Sequence, residues 1–167
     1  MLTTETDFAS PLWPAGDWES RATAAVAAAL AETPYGHLAD GPLNIEVSIR
    51  LTDDAEVKTL NRDYRQKDKP TNVLSFPMVQ PDLLDGLANS DDGEVLLGDI
   101  VLAAETCARE AAEKAWPVGD YAQHLIVHGL LHLLGYDHET GELHANAMEA
   151  LESAACHALG LPDPYDG

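Results

Sequence analysis

Apolar and polar residues alternate with a period of two along Leu43-Asn-Ile-Glu-Val-Ser-Ile-Arg-Leu51, which predicts a half-buried strand. A second strand is expected over Glu94–Ala103, an apolar run that carries one acid, Asp99. A third is expected over Asn72–Pro77, with Pro77 marking its end or an edge position. Helical spacing fills most of the remainder. Asp17 is a plausible N-cap for an Ala-rich helix to about Ala31, stopped by Thr33-Pro-Tyr-Gly. Asp53 with Glu56 forms the better capping-box pair for a helix that reaches about Tyr64. A helix after Ala103 runs to about Lys114 and is broken by Pro117. Two more are expected over Gly119–Leu134 and about Gly141–Leu159, the last stopped by Gly160-Leu-Pro. Residues 1–16, with Pro11, Pro14 and Gly16, read as a loose arm, and residues 80–93 as an acidic loop. The expectation is an α+β fold in one domain over residues 1–167. It would hold a small mixed β-sheet of about four strands packed with about five helices.

A length of 167 residues can bury a sizeable core, and an apolar content of 46% fits a globular chain. The net charge of −20 does not fit an ordinary nucleic-acid binder, because phosphate contacts need Lys and Arg. On its own, such a charge reads as a solubility or salt-adaptation trait. It is unevenly spread. Four of the nine basic residues, Arg62, Arg65, Lys67 and Lys69, fall within eight positions, and Asp82, Asp85, Asp91, Asp92 and Glu94 follow shortly after. Cys107 and Cys156 form neither a metal spacing nor a disulfide framework, so they read as small buried apolar residues in a reducing compartment. The N-terminus has no basic region, which argues against a signal peptide. The apolar run Ala22–Ala31 is far too short to span a bilayer. A cytoplasmic protein without a membrane role is expected.

The helix expected over Gly119–Leu134 carries the candidate chemistry. From Leu125 to Leu134 every residue is Leu, Ile, Val or Gly except His128 and His132, so the segment should be buried. Burying an imidazole without partners costs about 1–3 kcal/mol, so something must satisfy both rings. They lie four apart and share one helix face, and His124 extends the stripe by a turn. His138 follows Gly135, a residue able to end the helix and turn the chain back. Three imidazoles from one short segment can hold one zinc ion and leave a position open, as catalytic sites do. Two ordinary core histidines bonded to backbone or carboxylates are the plainer alternative. The spacing is similar to the metzincin peptidase signature H-E-x-x-H-x-x-G-x-x-H, so the helix is expected to be zincin-like. Gly129, however, stands where that signature has its general base.

Two further groups are candidates. Asp99, in its apolar strand, is either a structural pair or cap, or a partner of a zinc-bound histidine or a proton acceptor near the metal. Tyr136 and Asp137 could serve similarly. The basic run around Arg65 is either a solvated face or a phosphate-binding patch. Arg offers bidentate contact to phosphate, and Thr71, Asn72 and Ser75 add small hydrogen-bonding groups.

Three blocks together make the chain recognisable. His128-Gly-Leu-Leu-His-Leu-Leu-Gly-Tyr-Asp-His138, Tyr64-Arg-Gln-Lys-Asp-Lys-Pro-Thr-Asn-Val-Leu-Ser-Phe-Pro77 and Leu97-Gly-Asp-Ile-Val101 resemble the YbeY family of bacterial endoribonucleases in order and spacing. The resemblance covers roughly residues 43–165, including the closing Ala-Leu-Gly-Leu-Pro-Asp-Pro-Tyr165. It implies a single-strand-specific, metal-dependent endoribonuclease acting in ribosomal RNA 3′-end maturation and ribosome quality control. Its partners would be ribosomal RNA and the small ribosomal subunit with its proteins. The family's zinc ligands carry over to His128, His132 and His138, its important arginine to Arg65 and its acid to Asp99. His128, Arg65 and Asp99 are thus the catalytic candidates, and Arg62, Arg65, Lys67 and Lys69 the substrate-binding ones. Two other readings stay open. One is a zinc metallopeptidase, for which Glu139 is the only nearby base. The other is a ribosome-assembly binding factor whose metal is mostly structural. A chain this acidic should hold free RNA weakly, through one patch, and so depend on ribosomal partners to find its target.

Overall fold

The alternation in Asn44–Thr52 has a direct structural counterpart. Ile45, Val47, Ile49 and Leu51 are almost fully buried, while Glu46, Ser48 and Arg50 face the other way and stay half-buried. In the computed structural model, which describes residues 1–84, 86–87, 93–136 and 142–165, this segment is β2 of a four-stranded mixed sheet. The strands are β1 (Leu2–Phe8), β2 (Asn44–Thr52), β3 (Val73–Pro77) and β4 (Glu94–Ala103), in the order β1-β2-β4-β3. β1, β2 and β4 run parallel, and β3 pairs antiparallel with β4 along the far edge, where Pro77 is tolerated. Six helices accompany the sheet among the described residues: α1 (Trp18–Ala31), α2 (Asp54–Arg65), the one-turn α3 (Pro81–Leu84), α4 (Ala104–Lys114), α5 (Val118–Leu133) and α6 (Glu142–Ala158). This is an α+β fold, with one more short helix than expected.

The predicted caps are in place. Asp17 accepts from the Ser20 amide at 3.2 Å and Asp53 from the Glu56 amide at 2.9 Å. The return half of the capping box is not made, because the Glu56 carboxylate pairs with Arg50 instead.

The N-terminal segment differs from the loose arm expected over residues 1–16. Leu2–Phe8 is a strand in parallel register with β2, from Leu2 beside Ile45 to Phe8 beside Leu51. The reason lies in its edge position. Thr3, Thr4 and Thr6 are β-branched and favour extended backbone, but the strand has a neighbour on one side only and buries no alternating apolar face. Trp13 is buried too, its indole N–H donating to the Thr52 carbonyl at 2.8 Å.

The two faces of β4 separate the molecule's apolar residues. Ile100 and Leu102 join the large cluster built with β2, α1 and α5, whereas Val101 and Ala103 pack with Val57 and Leu74 beneath α2. α5 is in contact with β3, β4, α1, α4 and α6. Leu125, Ile126, Val127, Leu130, Leu131 and Leu133 are each at most 2% exposed, and each such side chain contributes about 1.5–3 kcal/mol on burial. Two glycines let this helix approach the sheet. A Cβ at Gly98 would lie 2.5 Å from the Phe76 carbonyl oxygen and 2.6 Å from Leu133 Cδ2. One at Gly129 would lie 2.8 Å from Ile100 Cγ2 and 3.1 Å from Ser75 Oγ.

Cys107 and Cys156 are buried free thiols, each pushed up to about 12, chiefly by burial and further by neighbouring carboxylates. They behave as the small apolar residues expected of them. No helix among the described residues is long and apolar enough to cross a membrane.

Candidate metal centre

The close approach at Gly129 carries His128 and His132 to the open edge of β3. Ser75 Oγ donates to the Gly129 carbonyl at 3.2 Å and fixes the helix against that strand. One turn apart on α5, the two rings pack edge-on with centroids 4.5 Å apart, and their Nε2 atoms approach to 2.9 Å. Two nitrogens bound to one tetrahedral zinc at 2.0–2.1 Å sit about 3.3 Å apart, so the pair fits such an ion with little ring movement. Gly135 then ends the segment at φ +96°, a conformation that favours glycine, and its amide donates to the His132 carbonyl at 3.0 Å. His138, the third expected ligand, lies outside the described residues, as do Asp137 and Glu139. Among the described residues no group of three or more His, Cys, Asp or Glu side chains is arranged to hold a metal ion.

Glu152 on α6 meets this histidine stripe, and sequence reasoning did not single it out. It is fully buried, and its Oε1 accepts from His128 Nδ1 at 2.7 Å. The bond places the proton of a neutral His128 ring on Nδ1 and turns the Nε2 lone pair toward His132, as a metal ligand requires. Its Oε2 accepts from His124 Nε2 at 3.1 Å and from the Tyr165 hydroxyl at 2.8 Å. Burial pushes the Glu152 carboxyl up. The hydrogen bonds from His124 and His128, the charge of His128 and the Tyr165 hydroxyl outweigh that and hold it well below the usual carboxylate range. A signal was present: Met148, Glu152 and Cys156 form one i, i+4 stripe, buried in all three positions, with a carboxylate in the middle.

Arg65 is the last residue of α2 and lines the same cleft as His128 and His132, a depression of about 490 Å³. Thr71, Asn72 and Ser75 line it too, with Tyr136 near the mouth of the turn. The backbone leaves the helix through Gln66 at φ 59°. Asn61, buried to 1% exposure, donates from Nδ2 to the Lys69 carbonyl at 2.9 Å and folds the basic loop back over the helix end. Asn61→Ala leaves that carbonyl without its donor. A loss of about 1 kcal/mol is expected as a lower urea midpoint, and an unchanged midpoint would show that the loop is held by other contacts.

The other expected substrate-binding residues are placed differently. Arg62, Lys67 and Lys69 are exposed but do not line the cleft, and Arg62 Nε pairs with Asp63 at 3.2 Å. Asp99 is not brought to the histidines. Gly98 and Ile100 face α5, so by strand alternation Asp99 points to the opposite face. There it lines a separate groove of about 1210 Å³ with Ser48, Arg50, Tyr64 and Phe76, and burial raises its pKa. The carboxylate that does meet His128 is that of Glu152.

Comparison with known proteins assigns the chain to a family. The family model described as Endoribonuclease YbeY matches residues 16–160. The chain belongs to the YbeY family. A protein named Endoribonuclease YbeY from Sphingopyxis alaskensis is 64% identical over 166 residues, covering 99% of this chain and 98% of that one. A second, from Rhizorhabdus wittichii, is 63% identical over 158 residues, covering 94% and 93%. The solution structure of TM1509 from Thermotoga maritima is 21% identical, covers 99% of this chain and 100% of its own, and superposes with a TM-score of 0.52, a likeness of fold. The YbeY match begins before β2 and takes in α1, whose sequence carried no recognisable family block.

Proposed function

We propose that this chain is a zinc-dependent, single-strand-specific endoribonuclease that matures the 3′ end of ribosomal RNA and takes part in ribosome quality control. One observation carries the reading: Arg65, over sixty positions from the histidine run, lines the same cleft as His128 and His132. That combination of a cation-binding pair and a guanidinium suits a phosphodiester, which is anionic in its ground state, better than a neutral peptide bond. That two close relatives are named endoribonucleases supports RNA cleavage.

His128, His132 and His138 would hold the ion. When bound, zinc supplies Lewis acidity toward the phosphodiester. The chain's own groups do the rest. Arg65 grips the phosphate through two N–H bonds and neutralises charge that develops on it. Ser75, Thr71 and Asn72 place hydroxyl and amide groups along the cleft wall. Glu152 keeps His128 turned. Arg62, Lys67 and Lys69 sit outside the cleft, where they can meet more distant phosphates. The protein would work in the cytoplasm, guided to ribosomal RNA by the small subunit and its proteins.

The test is incubation of the purified chain with ribosomal RNA and, separately, with a denatured protein, each with and without a chelator. Cleavage of RNA alone, lost on chelation and restored by Zn2+, is the expected result. Protein cleavage, or RNA cleavage indifferent to the chelator, would overturn the proposal.

A further inference from the structure

The Glu152 carboxylate does more than accept one bond. A side-chain carboxylate held by a single donor can swing about its last torsion, where the barrier is low and the preference broad. Glu152 is held from three directions: by His128 and His124 from α5, and by Tyr165 from the tail beyond α6. The Tyr165 residue is 45% exposed, yet its hydroxyl reaches a carboxylate that is fully buried. The tail is built to deliver it. Gly160 turns the chain at φ +78°, and the Leu161 amide donates back to the Cys156 carbonyl at 2.9 Å. Asp163 Oδ1 accepts from Ser153 Oγ at 3.0 Å and from the Tyr165 amide at 2.9 Å, which ties the tail to the helix that bears Glu152. His124 is enclosed by Trp116 and Tyr121, with ring centroids 5.9 and 5.7 Å away, and its Nδ1 is buried without a partner. Its one polar bond among the described residues is therefore to Glu152.

We infer that Tyr165 is a positioning residue of the metal centre: its hydroxyl, with His124, locks the Glu152 carboxylate in the orientation that holds the His128 ring toward the ion. The inference rests on reading His128 and His132 as metal ligands, and it adds the C-terminal tail to a site otherwise built from α5, α6 and the sheet edge. The tail thereby acts on metal binding through two successive hydrogen bonds, without touching the ion or the RNA.

The experiment titrates the full-length chain with Co2+ against a chromophoric chelator and records the visible absorption of the bound ion. Wild type is compared with Tyr165→Phe and Glu152→Gln, and the melting temperature of each metal-free protein is measured alongside. Tyr165→Phe should bind Co2+ about three- to tenfold more weakly, the effect of one hydrogen bond. Glu152→Gln should bind about 10- to 100-fold more weakly, and both should show a changed Co2+ band. If Tyr165→Phe binds with wild-type affinity and an unchanged band, the inference is overturned, even where its melting temperature falls. That combination marks a tail that only stabilises the fold. If Glu152→Gln fails to fold, Tyr165→Phe decides alone. A wild type that binds no Co2+ removes the ligand reading and this inference together, whereas cleavage of RNA plays no part in the readout.

Discussion

Gly129→Glu, the substitution that restores the peptidase motif letter for letter, should yield an unstable protein and no peptidase. The position admits no side chain. Its Cβ would lie 2.8 Å from Ile100 Cγ2 and 3.3 Å from Ile100 Cγ1, and Ile100 is fully buried in β4, a strand paired on both sides. It would also lie 3.1 Å from Ser75 Oγ, the group that fastens the helix to β3. Relief requires α5 to move off the sheet, because Ile100 is confined by its strand neighbours. Overpacking of this kind costs about 1–3 kcal/mol for a methyl group alone. A carboxylate forced against Ile100 adds a desolvation cost of similar size or more. A total loss of about 3 kcal/mol or greater is expected, a large part of the stability of an ordinary domain. Thermal melting should fall by about 6–12 °C, and a denatured protein substrate should stay uncut. A Gly129→Glu chain that melts with the wild type would show that the helix has room there and would reopen the peptidase reading. The glycine thus has a structural cause. It is a place where the histidine helix lies against the sheet with no space for a Cβ, and the same stretch of helix brings His128 and His132 to the cleft.

The site was legible in the sequence wherever one segment carried the information. The Leu125–Leu134 run announced a buried helix with two polar intruders, and it is one. The strand at β2 and the caps at Asp17 and Asp53 were equally local. What could not be read depends on how segments meet. Asp99 alternates with Gly98 and Ile100, so the sequence does say that it opposes them. It does not say which face α5 covers, and that choice removes Asp99 from the histidines. Glu152 lies on a different helix from His128, and the two meet only because α5 and α6 pack side by side. β1 escaped for another reason: an edge strand with mostly polar side chains carries no periodic apolar signal.

Arg65→Glu should reduce cleavage of single-stranded RNA by about 100-fold or more while leaving the fold and the metal in place. The activity loss follows from reversing charge at the one cation that lines the cleft with the histidines among the described residues. Removing a single well-placed donor to a developing anion costs about 100- to 1000-fold, and a carboxylate in its place adds repulsion of the incoming phosphate. The fold should tolerate the change. Arg65 is exposed, ends its helix, and makes no ion pair among the described residues, so packing is untouched. The one stabilising contribution lost is that of a cation at a helix C-terminus, about 0.3–1 kcal/mol, which corresponds to no more than about 4 °C in melting temperature. Metal content should match wild type, because the guanidinium is no ligand and Glu152 still holds His128. Arg65→Lys separates charge from shape. It keeps the cation but loses the planar fork, so its activity should fall between the wild type and the glutamate variant. Measuring kcat, KM, bound metal and melting temperature on all three proteins decides the matter. Glutamate-variant cleavage within threefold of wild type would remove Arg65 from the mechanism, and would leave the histidine pair without the phosphate-binding partner that distinguishes this cleft from a peptidase's.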